Sequence, residues 1–314
     1  MKNENLLILC TNDDPSANEL LMWAQKFNYN NILRLNDEDI ITDLKITLNN
    51  NSQEFFINGN NILNYKNIWI RNGQLPYIKI KNNLEESEFK VIKDFILFNL
   101  EKFKNCIGSI SEDLNHNKLI DLQYAKKVGL DIPDNWIINH KKDLQCIFSD
   151  INIEVLIKPL KNYYIEKEFE FEYILDLFEL DKLPKSLEKS FFPSLVQKKI
   201  PKLFEVRVFF LKDKFYSIAI FSQKNKKTQL SFKFIDKNLM NRMVPFNLPP
   251  FLKTKLIQFF ELKKMNTGSI DLIYSTDKKF YFLEVNPIGQ FNWLSKVANY
   301  QIEKEILSHL NYIK

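Results

Sequence analysis

Glycine and cysteine are scarce in this 314-residue chain, and long apolar runs are missing altogether. Each shortage narrows what the protein can be. The three cysteines, Cys10, Cys106 and Cys146, lie far apart and form no CxxC pair. That argues against a disulfide framework or a zinc site and for reduced thiols in a cytoplasmic protein. The apolar run Leu6 to Cys10 is too short for a signal-peptide core. No later stretch approaches a membrane span, so no membrane partner is expected. Blocks of like charge are missing too. The net charge of +5 comes from lysines interspersed with acids, which reads as a solvated surface and gives no support to a nucleic-acid partner. No repeat or low-complexity tract is present. What the chain has in quantity is apolar bulk. Hydrophobic residues make up 45%, with 27 Phe and 12 Tyr, enough for large cores without staples. The length is about twice that of a common domain, so two or three packed units are expected.

The first third reads as α/β. Leu6 to Cys10 is a strand, Asn12-Asp13-Asp14-Pro15 a turn, and Ser16 with Glu19 a capping box that opens a helix through Trp23 towards Phe27. Further strands are expected near Ile32 to Leu35 and Ile68 to Arg71. A helix over Glu85 to Phe103 presents Val91, Ile92, Phe95, Ile96 and Phe98 as its buried stripe. The middle holds a helix from about Asn115 to Val128, with Leu119, Leu122, Ala125 and Val128 on one face and Gly129 as its stop. It also holds the strand Ile153 to Lys158, an acidic and aromatic stretch Lys161 to Asp176, and a helix before the Leu183-Pro184 break. The last third carries hairpin signals. Phe204 to Leu211 and Phe215 to Phe221 flank a tight turn, as do Ser269 to Tyr274 and Phe280 to Asn286. Helices are expected at Phe251 to Lys264 and from about Asn299.

The second hairpin carries chemistry. Strand side chains alternate, so Glu284 and Asn286 project from one face. If the hairpin is symmetric about Asp277-Lys278, Asp271 stands opposite Glu284. Facing carboxylates repel. Such groups can simply line a wet surface, but the apolar flanks imply a buried sheet. Magnesium, which prefers carboxylate and amide oxygens, would then offset the repulsion. Glu205 and Arg207 share a face of their strand and can be an exposed ion pair or part of a site. Lone lysines are mostly solvated. Lys158, however, closes an apolar strand, whose end aims its ammonium into whatever cleft the sheet borders, and Lys118 lies in the first turn of its helix. No general base stands out; His116 and His140 fall in or near loops and read as bystanders.

Several segments resemble the ATP-grasp peptide maturases, or graspetide synthetases, of the grasp-with-spasm type. They are Val196-Gln197-Lys198-Lys199-Ile200, Glu205-Val206-Arg207-Val208, Ala219-Ile220-Phe221-Ser222-Gln223, Asn266-Thr267-Gly268-Ser269-Ile270-Asp271 and Leu283-Glu284-Val285-Asn286-Pro287-Ile288-Gly289-Gln290-Phe291. The opening Ile8-Leu9-Cys10-Thr11-Asn12-Asp13, with Ser16 and Asn18-Glu19, and Ile68-Trp69-Ile70-Arg71-Asn72-Gly73 add to the likeness. The resemblance implies an α/β ATP-grasp fold with a pre-ATP-grasp unit (1–105), a central unit (106–190) and a C-terminal lobe with the magnesium site (191–314). It implies ATP and Mg2+ as cofactors, Lys118 and Lys158 on the phosphates, and Gln197, Lys198, Lys199 and Ile200 as the hinge reading adenine. Glu205 would lie near the ribose and Arg207 would face the γ-phosphate. Asp271, Glu284 and Asn286 would hold the metal. The implied partner is a ribosomally made precursor peptide with leader and core segments; a homodimer is a further family expectation. An Asp or Glu side chain of the peptide would be phosphorylated and captured by Ser, Thr or Lys, giving an ω-ester or ω-amide ring. An amino-acid-tailing ligase and a catalytically weakened peptide-binding protein are the alternatives. Two departures stand out. The segment Leu160 to Glu172, where many relatives have a glycine-rich flap, contains no glycine. Ser231-Phe232-Lys233 replaces an Asp-aromatic-Arg triplet, keeping the positive charge of a catalytic position at Lys233 without arginine's planar grip.

Overall fold

Five successive apolar residues, Leu6 to Cys10, form a strand with no exposed face (β1, Leu6–Cys10), as a parallel strand must be when both sides of its sheet are covered. The computed structural model describes residues 5–71, 75–77, 80–149, 154–158, 160, 167–168, 171–172, 178–180, 183, 187–234, 236 and 238–310. After β1 come α1 (Pro15–Lys26), β2 (Ile32–Asn36), β3 (Leu44–Leu48), β4 (Gln53–Ile57), β5 (Asn60–Asn61), β6 (Asn67–Ile70), α2 (Asn83–Glu101) and β7 (Asn105–Ile107). β2, β1, β6 and β7 lie side by side, all parallel. The antiparallel trio β3, β4 and β5 is absent from the sequence reading, because its Asn-rich surroundings mask a weak alternation.

Two local expectations need correction. α1 is capped by Asp14, whose Oδ1 accepts the Ala17 amide at 2.7 Å, and not by a Ser16/Glu19 box. Pro15 sits in the first turn, where its missing N–H costs nothing. Of the stripe expected on α2, Ile96 is buried and Phe95 packs against the core, but Val91 and Phe98 are 69% and 56% exposed, and Phe89, Leu97 and Leu100 complete the inner face. The helix carries apolar residues on both sides, so periodicity alone does not choose its inner face.

The middle section runs α3 (Ile110–Leu114), α4 (Lys118–Lys127), β8 (Asn135–His140), α5 (Lys141–Ser149), β9 (Val155–Lys158), β10 (Lys167–Glu168), β11 (Phe171–Glu172), β12 (Phe178–Leu180) and β13 (Ser190–Lys198). β12, β9, β13 and β8 form an antiparallel sheet in that order. β12 stands where the sequence suggests a helix, because it pairs along β9 (Glu179 with Leu156). Most of the glycine-free segment 160–172, Ile153 at the expected strand start, and Asn72-Gly73 lie outside the described residues.

The rest comprises β14 (Lys202–Leu211), β15 (Lys214–Phe221), β16 (Arg242–Pro245), α6 (Pro250–Lys263), β17 (Thr267–Ser275), β18 (Phe280–Asn286), α7 (Asn292–Ala298) and α8 (Ile302–His309). The five strands form one antiparallel sheet ordered β16-β15-β14-β17-β18. One face of it, with Val206, Val208, Ile270, Leu272, Phe282 and Val285, packs on Leu252, Leu256, Phe259 and Phe260 of α6 and on Leu122 and Ala125 of α4. The opposite face, through Phe209, Leu211, Ile218 and Ile220, shares a core with Leu6, Ile8, Trp69 and Phe291. The N-terminal sheet is thereby locked to the site-bearing sheet by apolar burial. On α2, Ile96→Ala should cost about 2–5 kcal/mol, whereas Val91→Ala should stay within about 0.5 kcal/mol of wild type. Urea unfolding of both variants checks which face is the inner one.

Candidate functional site

The acidic hairpin is built by an irregularity. Near its tip, Tyr274 pairs with Phe280 and Leu272 with Phe282, a register centred on Asp277. One residue on, Asp271 pairs with Glu284 and Ile270 with Val285, so Leu283 is the extra residue of a β-bulge. Without the bulge Glu284 would fall opposite Ile270, on the face that packs against α6. With it, Phe282 and Val285 both enter that core while Glu284 faces Asp271. The pairing expected from a regular hairpin is therefore present, but the bulge produces it.

Register extends the row. Arg207 on β14 pairs with Asp271, which pairs with Glu284. Arg207 Nη1 donates to Asp271 Oδ1 at 2.8 Å, with both side chains buried. Lys233, from the segment between β15 and β16, sets its ammonium between the acids, donating to Glu284 and lying 2.9 Å from Asp271 Oδ2. Lys118, at the start of α4, reaches Glu284 Oε2 at 3.3 Å. Lys158, at the end of β9, interacts electrostatically with Glu284, Lys233, Lys118 and Asp271. Four cations from four segments thus converge on two carboxylates. The surplus is positive, which suits a multiply charged anion.

Burial works against both carboxylates, yet Arg207 and Lys233 hold Asp271 below its ordinary range, and Lys233 and Lys118 do the same for Glu284. Partial desolvation would lower the half-exposed Lys233, but Asp271 and Glu284 raise it. Burial pushes Lys158 down to about 8, against the pull of Glu284. Among the described residues no three His, Cys, Asp or Glu side chains form a ready metal cage. The donor set here is instead two carboxylates and the amide of Asn286, whose Oδ1 also caps the Ile288 amide at 3.1 Å. Asp271 Oδ2 is buried with the Lys233 ammonium, 2.9 Å away, as its partner. This set fits magnesium, which takes one or two carboxylates and leaves its other positions to phosphate and water.

Glu205 shares the face of Arg207, but both its oxygens are engaged. Lys202 Nζ donates to it at 2.5 Å, Ser222 Oγ at 2.8 Å and the Phe232 amide at 3.4 Å, so it anchors the segment that carries Lys233. Along the expected hinge, Gln197 is buried and bonds Asn135 at 2.7 Å. The Lys198 and Lys199 amides donate to the Asp134 and Glu154 carbonyls, and Ile200 is buried. The Lys198 and Lys199 ammoniums face outward, pairing with Asp134 and with Glu154 and Glu179. His116 lies 2.8 Å from the buried Asp121, which also holds Lys263 at 2.9 Å. Reading residues alone missed Ser222 and Lys202, whose importance comes from partners distant in sequence. It also gave no role to Arg71, although Arg71 closes an apolar strand just as Lys158 does.

No protein-family model matches the sequence, and no curated protein matches it. Solved structures do. A Chryseobacterium gregarium RiPP-associated ATP-grasp ligase, in complex with ADP and a leader and core peptide, superposes with TM-score 0.82 at 21% identity, covering 98% of this chain and 96% of that one. The chain has the ATP-grasp fold. Macrocyclase MdnC from Microcystis aeruginosa, bound with precursor peptide MdnA, superposes with TM-score 0.76 at 23% identity over 98% and 99% of the two chains. D-alanyl-alanine synthetase A from Vibrio cholerae is more distant, at TM-score 0.59 and 12% identity. Within this ATP-grasp chain, no described helix is long and apolar enough to cross a membrane.

The charge row has a consequence for acid stability. Asp271 and Glu284 sit below their ordinary values of 3.8 and 4.5. The stabilisation they give is complete above those values and is lost as pH falls through and beneath them. Lys233→Met should therefore flatten the acid limb of a stability-against-pH curve. At neutral pH the loss should be about 1 kcal/mol, modest because Lys233 is half exposed. Urea titrations from neutral to acid pH provide the measurement, and an unchanged acid limb would count against the ion-pair assignment.

Proposed function

We propose that this chain is an ATP- and Mg2+-dependent carboxylate ligase that closes ω-ester or ω-amide rings in a ribosomally made precursor peptide. The observation that carries the reading is the row Arg207, Asp271, Glu284 with Lys118, Lys158 and Lys233 around it. Two carboxylates under a surplus of cations match a metal-bearing polyphosphate. The ATP-grasp fold, shared with ligases whose structures hold ADP and precursor peptides, adds the peptide.

On this reading residues 1–105 are the pre-ATP-grasp unit, 106–190 the central unit and 191–314 the lobe with the metal site. Asp271, Glu284 and Asn286 hold magnesium, which when bound orients the phosphates and offsets their charge. Lys118 and Lys158 bind phosphate oxygens. Gln197 to Ile200 border adenine, with the Lys198 and Lys199 amides already committed to the sheet, and Glu205 lies beside the ribose. Arg207 faces the γ-phosphate and stabilises the charge that builds as a peptide carboxylate oxygen attacks phosphorus and ADP leaves. A Ser or Thr hydroxyl, or a Lys amine, then attacks the acyl carbon. Phosphate departs and the nucleophile loses its proton. Holding both side chains of one peptide together favours this step. Lys233 occupies the gap between the metal-binding acids, so it must swing outward when the metal binds. Its ammonium is then free to meet the substrate carboxylate. The cytoplasm, the source of both ATP and a nascent precursor, is the expected compartment.

The decisive experiment incubates the enzyme, ATP and Mg2+ with any small Thr/Ser- and Asp/Glu-containing peptide encoded next to its gene. Loss of one water mass per ring with matching ADP release supports cyclisation; a gain of amino-acid masses would assign the chain to tailing ligases. ADP release should fall about a hundredfold to a thousandfold in Arg207→Ala and nearly vanish in Glu284→Ala. Persistence of full turnover in the latter would remove the metal assignment.

Lys158 supplies an independent check. Only its charged form attracts phosphate, and its value near 8 means the unliganded protein loses that charge as pH rises through about 8. Affinity for Mg·ADP should then weaken, by at most about tenfold per pH unit. Calorimetry between neutral and alkaline pH should show this limb in wild type and its removal in Lys158→Arg.

A further inference from the structure

A buried ion pair far from the metal-binding acids in sequence reaches the site arginine through a single loop. Asp14 and Arg71 meet at 3.1 Å, and only 2% and 3% of the two residues is exposed. Burial lowers Arg71, while Asp14 counteracts the shift, so holding this charge here is costly. The pair does not exhaust the guanidinium. Arg71 Nη1 also donates to the carbonyls of Ile288 at 3.2 Å and Gly289 at 3.1 Å, and the group lies 5.3 Å from the Phe291 ring centroid.

The same loop is held from its other side. The Gln290 carbonyl accepts from Arg207 Nη2 at 3.2 Å. Gln290 Nε2 returns to Asp14 Oδ2 at 3.4 Å. Gly289 sits at the crossing, where an added Cβ would lie 2.3 Å from the Ser269 Cβ and 3.0 Å from Arg207 Nη2. The loop therefore cannot shift without moving one arginine or the other.

We propose that Arg71, fixed by Asp14, is a positioning residue for Arg207, so the N-terminal sheet completes the phosphate-facing site through residues 288–290. The planar fork spans an acid and two carbonyls at once, which a lysine's single ammonium cannot do. Its second contact pins the loop whose next carbonyl aims Arg207. This inference rests on the reading of Arg207 as the γ-phosphate contact.

The test measures ADP release by Arg71→Lys, Arg207→Lys and the double variant. Arg71→Lys keeps the buried charge beside Asp14, so folding survives. Its kcat should fall about tenfold to a hundredfold with KM for ATP within about twofold. The double variant should be no slower than Arg207→Lys alone, since both act through one geometry. Restoration of wild-type kcat by lysine at this position, or losses that multiply in the double variant, overturns the proposal. If wild type releases no ADP from any peptide tried, the nucleotide reading has failed, and the link is judged on urea unfolding midpoints. Non-additive shifts across the same three variants then sustain it, and additive shifts sink it.

Discussion

Two carboxylates held side by side on neighbouring strands are the constraint around which this molecule is arranged. Asp271 and Glu284 repel each other and are largely withdrawn from water, so neither tolerates its place without cations. The fold supplies them from separate segments: Arg207 from the next strand, Lys118 from a helix start, Lys158 from the end of a strand in another sheet, and Lys233 from a loop. Breaking any one of these placements leaves a buried charge less compensated. The apolar core that β14, β17 and β18 share with α6 and α4 backs the row from behind, and β14 and β15 meet a second core on the acids' own side of the sheet.

The cations differ in kind. Arg207 is buried, bidentate across Asp271 and the Gln290 carbonyl, and already oriented. Lys233 is half exposed and bridges the acids with a compact ammonium on a flexible stem. A divalent ion entering that gap, as the proposed function requires, would have to displace a point charge, and lysine can withdraw at little geometric cost. Arginine in the same place would grip both acids with a planar fork and be harder to expel. If relatives carry arginine at this place, as the resemblance implies, lysine at 233 would let the acids be released more readily.

Legibility in the sequence followed the range of the interaction. Strand alternation is local, so the shared face of Glu284 and Asn286, the alignment of Glu205 with Arg207, and Lys158 at the cleft-facing end of the Val155 to Lys158 strand are all readable. The opposition of Asp271 and Glu284 was reached from an assumed regular hairpin, whereas a bulge at Leu283 creates it. The inner face of α2 is only partly legible: Phe95 and Ile96 meet the core as expected, but Val91 and Phe98 look as apolar as Leu97, and only the sheet behind the helix decides between them. Lys233 was identified through a resemblance. Its seat between the acids depends on contacts with strands far along the chain, which no spacing rule encodes.

The missing acid at position 231 shows how such long-range contacts compensate. Where the resemblance implies an Asp, this chain has Ser231, and the loop that carries the half-exposed Lys233 is anchored in another way. Glu205 provides the anchor from the sheet. Its carboxylate takes the Phe232 amide and the Ser222 hydroxyl, and binds Lys202, which in turn donates to the Leu230 carbonyl at 3.0 Å. Phe232 packs against the Trp293 ring, giving the loop an apolar hold as well. The lysine stem is therefore tethered at its base while its tip remains exchangeable. That combination lets one residue balance both acids, and on the proposed reading it would let the same residue move aside for a metal.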